Sequence, residues 1–349
     1  GQRLTFARAV IATGARAADP GIPGLADAGY LTNETVFSLT ELPPRLLVLG
    51  GGPIGCELAQ AFRRFGSTVD LVQRGPRLLP REDADAGAVV QRQFKREGIR
   101  LHLGTRAVRA EKAATGRRLV CEREGGEVAL EGDAILVGVG RTPNVEGLNP
   151  EAAGVAYDRK GVRVDDRLRT TNPRIYAAGD ICSPYKFTHA ADAMARVVLQ
   201  NAFFLGGRRA SALVMPWCTY TDPEVARVGL SEEEARQQGV RVRVFRQEMA
   251  EVDRAVLDGA TAGFVKVLVR EGTGRILGAT AVAEHAGEMI GELTLAMTAR
   301  LGLGKLAGTI HPYPTQAEAI KKAADAYNRS RLTPLVRWLF GKWLAWARA

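Results

Sequence analysis

Gly50, Gly52 and Gly55 stand in a G-x-G-x-x-G arrangement between an apolar run, RLLVLG (45–50), and a helix-forming stretch, CELAQAFRRFG. That spacing suits phosphate chemistry. Gly50 permits a tight turn, Gly52 lets a pyrophosphate reach the backbone, and Gly55 lets helix and strand pack closely. The helix start then offers unpaired N–H groups and the positive end of its dipole. With Pro53, Ile54 and Glu57 on the same turn and helix, these are the candidate nucleotide-binding residues. At the end of the next strand, where an acid would bond a ribose 2′-hydroxyl, the chain reads Val72-Gln73-Arg74. Neutral Gln73 does not repel a 2′-phosphate and Arg74 suits pairing with one, which favours NADPH; the alternative is a solvated Arg74, with Gln73 serving NADH adequately through a neutral hydrogen bond. Arg77 and Arg81 lie a few residues on.

One fingerprint explains one dinucleotide. IATGAR (11–16), VGVGRTPN (137–144) and IYAAGDI (175–181), together with FTHAADAMARVVLQNA and HPYPTQAEA, require another account. In order and spacing these segments resemble the pyridine nucleotide–disulfide oxidoreductases, and HPYPTQAEAIKKAADAYNR and PWCTYTDPEVARVG are most similar to the mercuric-reductase-like branch. The resemblance covers the chain up to about residue 333. It implies a second cofactor, FAD, with Thr13 and Gly14 lining its nucleotide and Asp180, after Gly179, bonding the ribityl hydroxyls. It implies that the helix near His189 points its N-terminus at the flavin ring and stabilises the reduced anion. His189 itself reads either as a helix-opening residue or as a flavin contact. Gly140 would admit the nicotinamide end, and Arg141 would anchor the domain junction.

The resemblance also marks departures. The family's first G-x-G-x-x-G and its C-x-x-x-x-C pair are missing, so the chain reads as N-terminally truncated. The family's proton-shuttling His, held by a Glu five residues later, aligns with Tyr313 and Glu318. Tyr, with an ordinary pKa of about 10, is a poor base near neutrality. His311, two residues earlier, is not expected to replace it within the Pro-flanked turn. Tyr at this position is a feature of mercuric reductases, yet the tail LVRWLFGKWLAWARA lacks the Cys pair that would deliver Hg(II). Thr315-x-x-Glu318 also reads as a capping box, so Glu318 is expected as cap, catalytic partner or both.

The elements that must carry these residues alternate at first. Apolar strands at 7–13, 45–50, 67–73, 99–103 and 133–139, a helix at 84–97 and a hairpin-like pair over 106–130 predict a parallel sheet with covered faces. Short strands at 161–165 and 174–178 and a helix from about Ala190 to Phe204 follow. From 212 onward, strands near 213–220, 225–229, 240–248, 263–270 and 275–283, a short helix opened by Ser231, and helices at 286–301 and 315–329 predict an antiparallel α+β unit. The expected fold is therefore α/β. A Rossmann-like NAD(P) domain (45–141) is inserted in a partial FAD domain (1–44 and 142–208), followed by an α+β dimerisation domain (209–332) and a Trp-rich basic helical tail (333–349).

Composition adds limits. Across 349 residues the net charge is +10, but the basic residues are interleaved with acids, which argues against nucleic acid as a partner. No two of Cys56, Cys121, Cys182 and Cys218 stand at C-x-x-C or C-x-x-x-x-C spacing, so no metal site is expected and a cytoplasmic setting is the default. Cys182 and Cys218 read as buried small apolar residues. No apolar run reaches the roughly 18 residues of a membrane span. The tail is expected to dock on the dimer or a partner, with peripheral membrane contact as the alternative.

The expectation is an enzyme: a homodimeric FAD-dependent NAD(P)H oxidoreductase that passes hydride through flavin to a disulfide, metal ion or other small acceptor. The rivals are a non-catalytic nucleotide-binding and dimerising fragment, and a thiol-independent diaphorase or quinone reductase.

Overall fold

Leu46, Leu47 and Val48 have no solvent-accessible surface, and the strand they form, Arg45–Leu49, is an interior strand of a four-stranded sheet. The order is Arg100–Leu103, Thr68–Gln73, Arg45–Leu49, Ala134–Val137, all parallel. A parallel sheet must be covered on both faces. On the Val48 side lies the helix Pro53–Phe65, which buries Cys56, Ala59 and Phe62. On the other, Leu47, Leu49 and Ile135 pack against Leu25, Leu119 and Cys121. The structure, a computed structural model, describes residues 5–348; residues 1–4 of the first expected segment and residue 349 of the tail lie outside the described residues.

The chain divides into two units. One comprises residues up to Pro76 with Gly98–Met215, the other Arg77–Glu97 with Pro216 onward. In the first unit, region 106–130 is a three-stranded antiparallel sheet rather than one hairpin: Arg106–Lys112, Arg117–Arg123 and Gly126–Gly132. The second turn is made possible by Gly125 and Gly126, both with positive φ. The run at 7–13 also departs from a buried strand. Only Ala9–Ile11 is extended, Val10 is 51% exposed, and the strand pairs on one edge, in parallel, with Ile175–Ala177. Beneath these strands the helix Thr188–Phe203 contributes Met194, Val197 and Val198 to a core with Leu168 and Tyr176.

In the second unit, five antiparallel strands run in the order Pro216–Thr219, Glu224–Gly229, Ile276–Ala283, Phe264–Arg270, Val242–Glu248. Ser231 caps the short helix Glu232–Gln237, as its sequence predicts: its hydroxyl accepts from Glu234 N–H while the Glu234 side chain accepts from Ser231 N–H. The long helices among the described residues are Ala84–Arg96, Ala286–Thr298, Glu318–Ser330 and Pro334–Ala347.

Arg77–Glu97, counted above within the nucleotide-binding segment, groups with this sheet, and charge explains why. Lys266, 2% exposed in the middle of strand Phe264–Arg270, reaches Asp83 and Asp85 at 3.0 Å and Glu232 at 2.7 Å. Burial pulls the Lys266 ammonium down, but the Glu232 hydrogen bond and the Asp83 and Asp85 contacts outweigh it and hold the ammonium above the usual lysine value. Arg227 lies 3.5 Å from Glu82 and donates to Arg81 O. Burial pushes the Glu82 carboxyl up, against the pull of Arg227 and the Trp217 indole N–H.

Removing one partner of a buried ion pair strands the other. Lys266→Met is expected to destabilise the second unit by about 3–5 kcal/mol in chemical denaturation. Lys266→Met with Asp83→Asn should recover part of that loss. Strictly additive effects would show that the two side chains are not coupled.

Candidate functional site

Gly50 and Gly55 let backbones meet where no Cβ would fit, and Gly138 sits where one would be tight. Gly50 has φ 109°, and a Cβ there would lie 2.5 Å from Gly138 O. A Cβ on Gly55 would lie 1.8 Å from Gly50 O, and one on Gly138 would lie 3.2 Å from Gly55 N. Gly52 differs: a Cβ there meets nothing within 4 Å. It is the N-cap of helix Pro53–Phe65, no side chain caps that helix, and Pro53 opens it. First-turn amides beside open space form a cradle for an anion. Ile54 and Glu57 lie in the same first turns, each half-buried.

Gln73 ends strand Thr68–Gln73, where its Oε1 accepts from Gly51 N–H at 2.9 Å. This bond ties the glycine turn to the neighbouring strand, a role the sequence reading did not give it. The amide NH2, which only donates, has no hydrogen bond of its own to the turn. Arg74 is exposed. The Arg77 guanidinium donates to Glu82 O and Pro80 O, both at 2.9 Å, and so holds its own loop.

Thr13, Gly14, Arg141, Gly179 and Asp180 come together at the C-terminal ends of the parallel pair Ala9–Ile11 and Ile175–Ala177. Thr13 Oγ1 donates to Asn144 O, Asn144 Nδ2 donates to Thr13 O, and Asn144 N–H donates to Gly14 O. Arg141–Pro143 pairs antiparallel with Ala15–Ala17, and Arg141 donates to Ala15 O at 2.6 Å. Its Nε lies 3.4 Å from Asp180 Oδ2 and is buried without a hydrogen-bond partner. Lys186 Nζ donates to Asp180 O. Gly179 has φ 81°, and a Cβ there would crowd Ala191 at 3.2 Å. Gly140 also has positive φ, with open space where a Cβ would stand. The glycine turn and this cluster are thus joined by one stretch, Gly138–Arg141, whose first residue packs on Gly55 and whose last faces Asp180.

Asn144 and the bidentate pair Arg16–Glu146 were missed as site residues, although IATGAR and VGVGRTPN contain Arg16 and Asn144. Arg16 draws the Glu146 carboxyl down to about 2. His189 is the second residue of helix Thr188–Phe203 and stacks on Phe187, with ring centroids 5.3 Å apart. Cys182 is half-buried rather than buried, as is Cys218. Burial pushes the Cys182 thiol up to about 11, so it stays protonated at neutral pH. A cavity of about 260 Å³ lined by Leu168, Cys182, Met194 and Met215 contains none of the predicted site residues.

In the second unit the capping box at Thr315 does not form. Helix Glu318–Ser330 has Ala317 as N-cap, and Thr315 Oγ1 and Glu318 Oε2 are buried without hydrogen-bond partners. The 315–318 stretch turns through Glu318 N–H to Thr315 O instead. Tyr313 is exposed and donates to Asp253 at 2.8 Å, and that bond raises its pKa above the usual tyrosine value. His311 is the enclosed group. Its side chain is 7% exposed, Nε2 lies 3.0 Å from Glu292 Oε2, and Nδ1 lies 3.2 Å from Thr309 O. A His–carboxylate pair was not read from the sequence because Glu292 lies on another helix.

The pyridine nucleotide-disulphide oxidoreductase model matches residues 1–195, and that family's dimerisation domain matches 215–324. The chain is 36% identical to a mercuric reductase of Staphylococcus aureus over 94% of its own length and 60% of the relative's. It is 38% identical to a dihydrolipoyl dehydrogenase of Thermus scotoductus over 88% of its own length and 69% of the relative's. The HOCl-induced flavoprotein disulfide reductase RclA from Escherichia coli superposes with a TM-score of 0.83 at 31% identity, covering 91% of this chain and 73% of that one. The chain belongs to the pyridine nucleotide-disulphide oxidoreductase family, which depends on flavin and pyridine nucleotide. It spans 60% of the Staphylococcus aureus relative and 52% of a Bacillus cereus mercuric reductase.

The glycine geometry separates packing from binding. Gly55→Ala is expected to lower stability by about 1–3 kcal/mol, the cost of overpacking. Gly52→Ala should leave the thermal midpoint of unfolding unchanged while weakening NADPH binding in calorimetry. Equal thermal losses in both variants would contradict the open side of the turn.

Proposed function

We propose that this chain carries the pyridine-nucleotide site, part of the flavin site and the dimerisation region of an FAD-dependent NAD(P)H oxidoreductase. The activity passes electrons from NAD(P)H through flavin to a disulfide, a metal ion or another small acceptor. The observation that carries this reading is the Gly138–Arg141 stretch, which links an anion cradle to the Asp180 cluster. In this reading Gly50, Gly52, Pro53, Ile54, Gly55 and Glu57 hold the pyrophosphate, and Thr13, Gly14, Arg141, Gly179 and Asp180 hold the flavin. The residues fit these groups: the Gly52 side is open and its helix uncapped, and Arg141 Nε is a buried donor lacking a hydrogen bond. Gly140 leaves room for the nicotinamide end, and the helix at His189 turns its N-terminal dipole toward the ring.

When bound, flavin supplies the two-electron chemistry. The chain's residues bind and orient the two cofactors, and positioning is their contribution to rate. NADPH is favoured because Gln73, its oxygen engaged by Gly51, still presents its amide N–H donors, and an anionic 2′-phosphate near neutral pH is chiefly an acceptor. Arg74 adds a cation beside it. Tyr313 and Glu318 are the proton-handling pair by position. Tyr313, holding its proton for Asp253, is a weak base near pH 7, whereas a histidine with a carboxylate partner suits proton exchange. His311 with Glu292 therefore joins them. The dimerisation-domain match over 215–324 supports a second copy of the chain as partner. A thiol-independent route to quinones or dyes is the second reading, since no two of Cys56, Cys121, Cys182 and Cys218 stand at C-x-x-x-x-C spacing.

Anaerobic addition of NADPH to the complete protein is expected to bleach its flavin absorbance; no bleaching would defeat the oxidoreductase reading. Arg74→Glu should raise KM for NADPH about ten- to hundredfold, as for loss of a charge-assisted contact, with little change for NADH. Equal losses for both nucleotides would remove the 2′-phosphate assignment.

A further inference from the structure

Helix Pro334–Ala347 begins after the last residue matched by the dimerisation domain, 324, and none of its residues is buried. It is a well-started helix. Thr333 caps it by accepting from Val336 N–H, and Pro334 fills the first position. Leu335, Leu339, Trp343 and Trp346, with Val336, Phe340 and Leu344, recur at helical spacing and share one broad face. Arg337, Trp338, Gly341, Ala345 and Arg348 fall on the opposite side. Trp346 is 76% exposed and Trp343 57%. A soluble surface does not leave such a stripe facing water without a purpose.

Charge decides what covers it. Arg329, Arg331, Arg337, Lys342 and Arg348 follow Asp325, with no acid after it. Lys342 Nζ lies 5.9 Å from the Trp338 ring, with its stem along the apolar border. A protein groove could bury the apolar face but gives no reason for uncompensated cations along its rim. An anionic lipid surface accounts for both: acyl chains take the indoles and leucines, while headgroups take the cations. No described helix is long and apolar enough to cross a membrane, so the contact is peripheral.

We propose that helix Pro334–Ala347 is an interfacial anchor that lays its Trp/Leu face on an anionic lipid surface and is held there by flanking Arg and Lys. The proposal is independent of the electron acceptor. It is tested with the full chain and a chain shortened after Thr333, floated with vesicles of phosphatidylcholine mixed with phosphatidylglycerol or of phosphatidylcholine alone.

The full chain is expected to float with the anionic vesicles, less so at high salt. Its tryptophan emission should shift to the blue, since Trp343 and Trp346 on the apolar face are two of the 4 tryptophans. Arg337→Gln with Lys342→Gln should weaken partitioning about thirtyfold, from roughly 1 kcal/mol per cation near such a surface. Leu339→Glu with Trp343→Glu should abolish it. The proposal is overturned if the full chain does not float, or if the shortened chain floats equally well. It is also overturned if shortening changes the oligomeric state in sedimentation, because the helix would then be a subunit contact.

Discussion

Backbones at Gly50, Gly55 and Gly138 approach so closely that no side chain could stand between them. The contact locks the helix after the glycine turn against the end of strand Ala134–Val137. It thereby fixes where the next residues, up to Arg141, must go. Close packing without a Cβ costs chain entropy at each glycine, and the buried Leu46–Val48 strand beneath supplies the apolar burial that offsets it. The cluster at Thr13, Asn144 and Asp180 depends on that fixed exit, because Arg141 reaches both Ala15 O and Asp180 from it.

A second constraint operates in the C-terminal unit. Lys266 and Arg227 put charge inside an antiparallel sheet, an arrangement tolerated only when partners are close and numerous. Those partners come from Arg77–Glu97 and from the helix capped by Ser231. The segment that follows strand Thr68–Gln73 is therefore committed to this unit by electrostatics. Elsewhere in the unit, His311 and Glu292 are enclosed together, while Tyr313 faces outward to Asp253.

Several features were legible from residues alone. The apolar run before the glycines, the glycine spacing and the helix after them are local, and each level of pattern pointed to the same turn. The Ser231 capping box was legible for the same reason. Thr315-x-x-Glu318 carries an equally good local pattern yet forms no box, because the chain enters that helix at Ala317. The pattern over 106–130 predicts a hairpin-like pair, but Gly125 and Gly126 turn the chain once more and make three strands. Val10 was expected inside a sheet but has a strand neighbour on one side only.

The amino-acid sequence by itself determined the parallel and antiparallel regions, the glycine turn and the family, since these rest on periodicity and on residues close in the chain. Only the tertiary structure decided that Gln73 is engaged by Gly51, that Arg141 faces Asp180, that Lys266 holds Asp83 and that His311 pairs with Glu292. All four are meetings of polar or charged groups carried by different elements of the chain. Such pairs leave no periodic trace, because direction and distance between them are set by packing rather than by spacing.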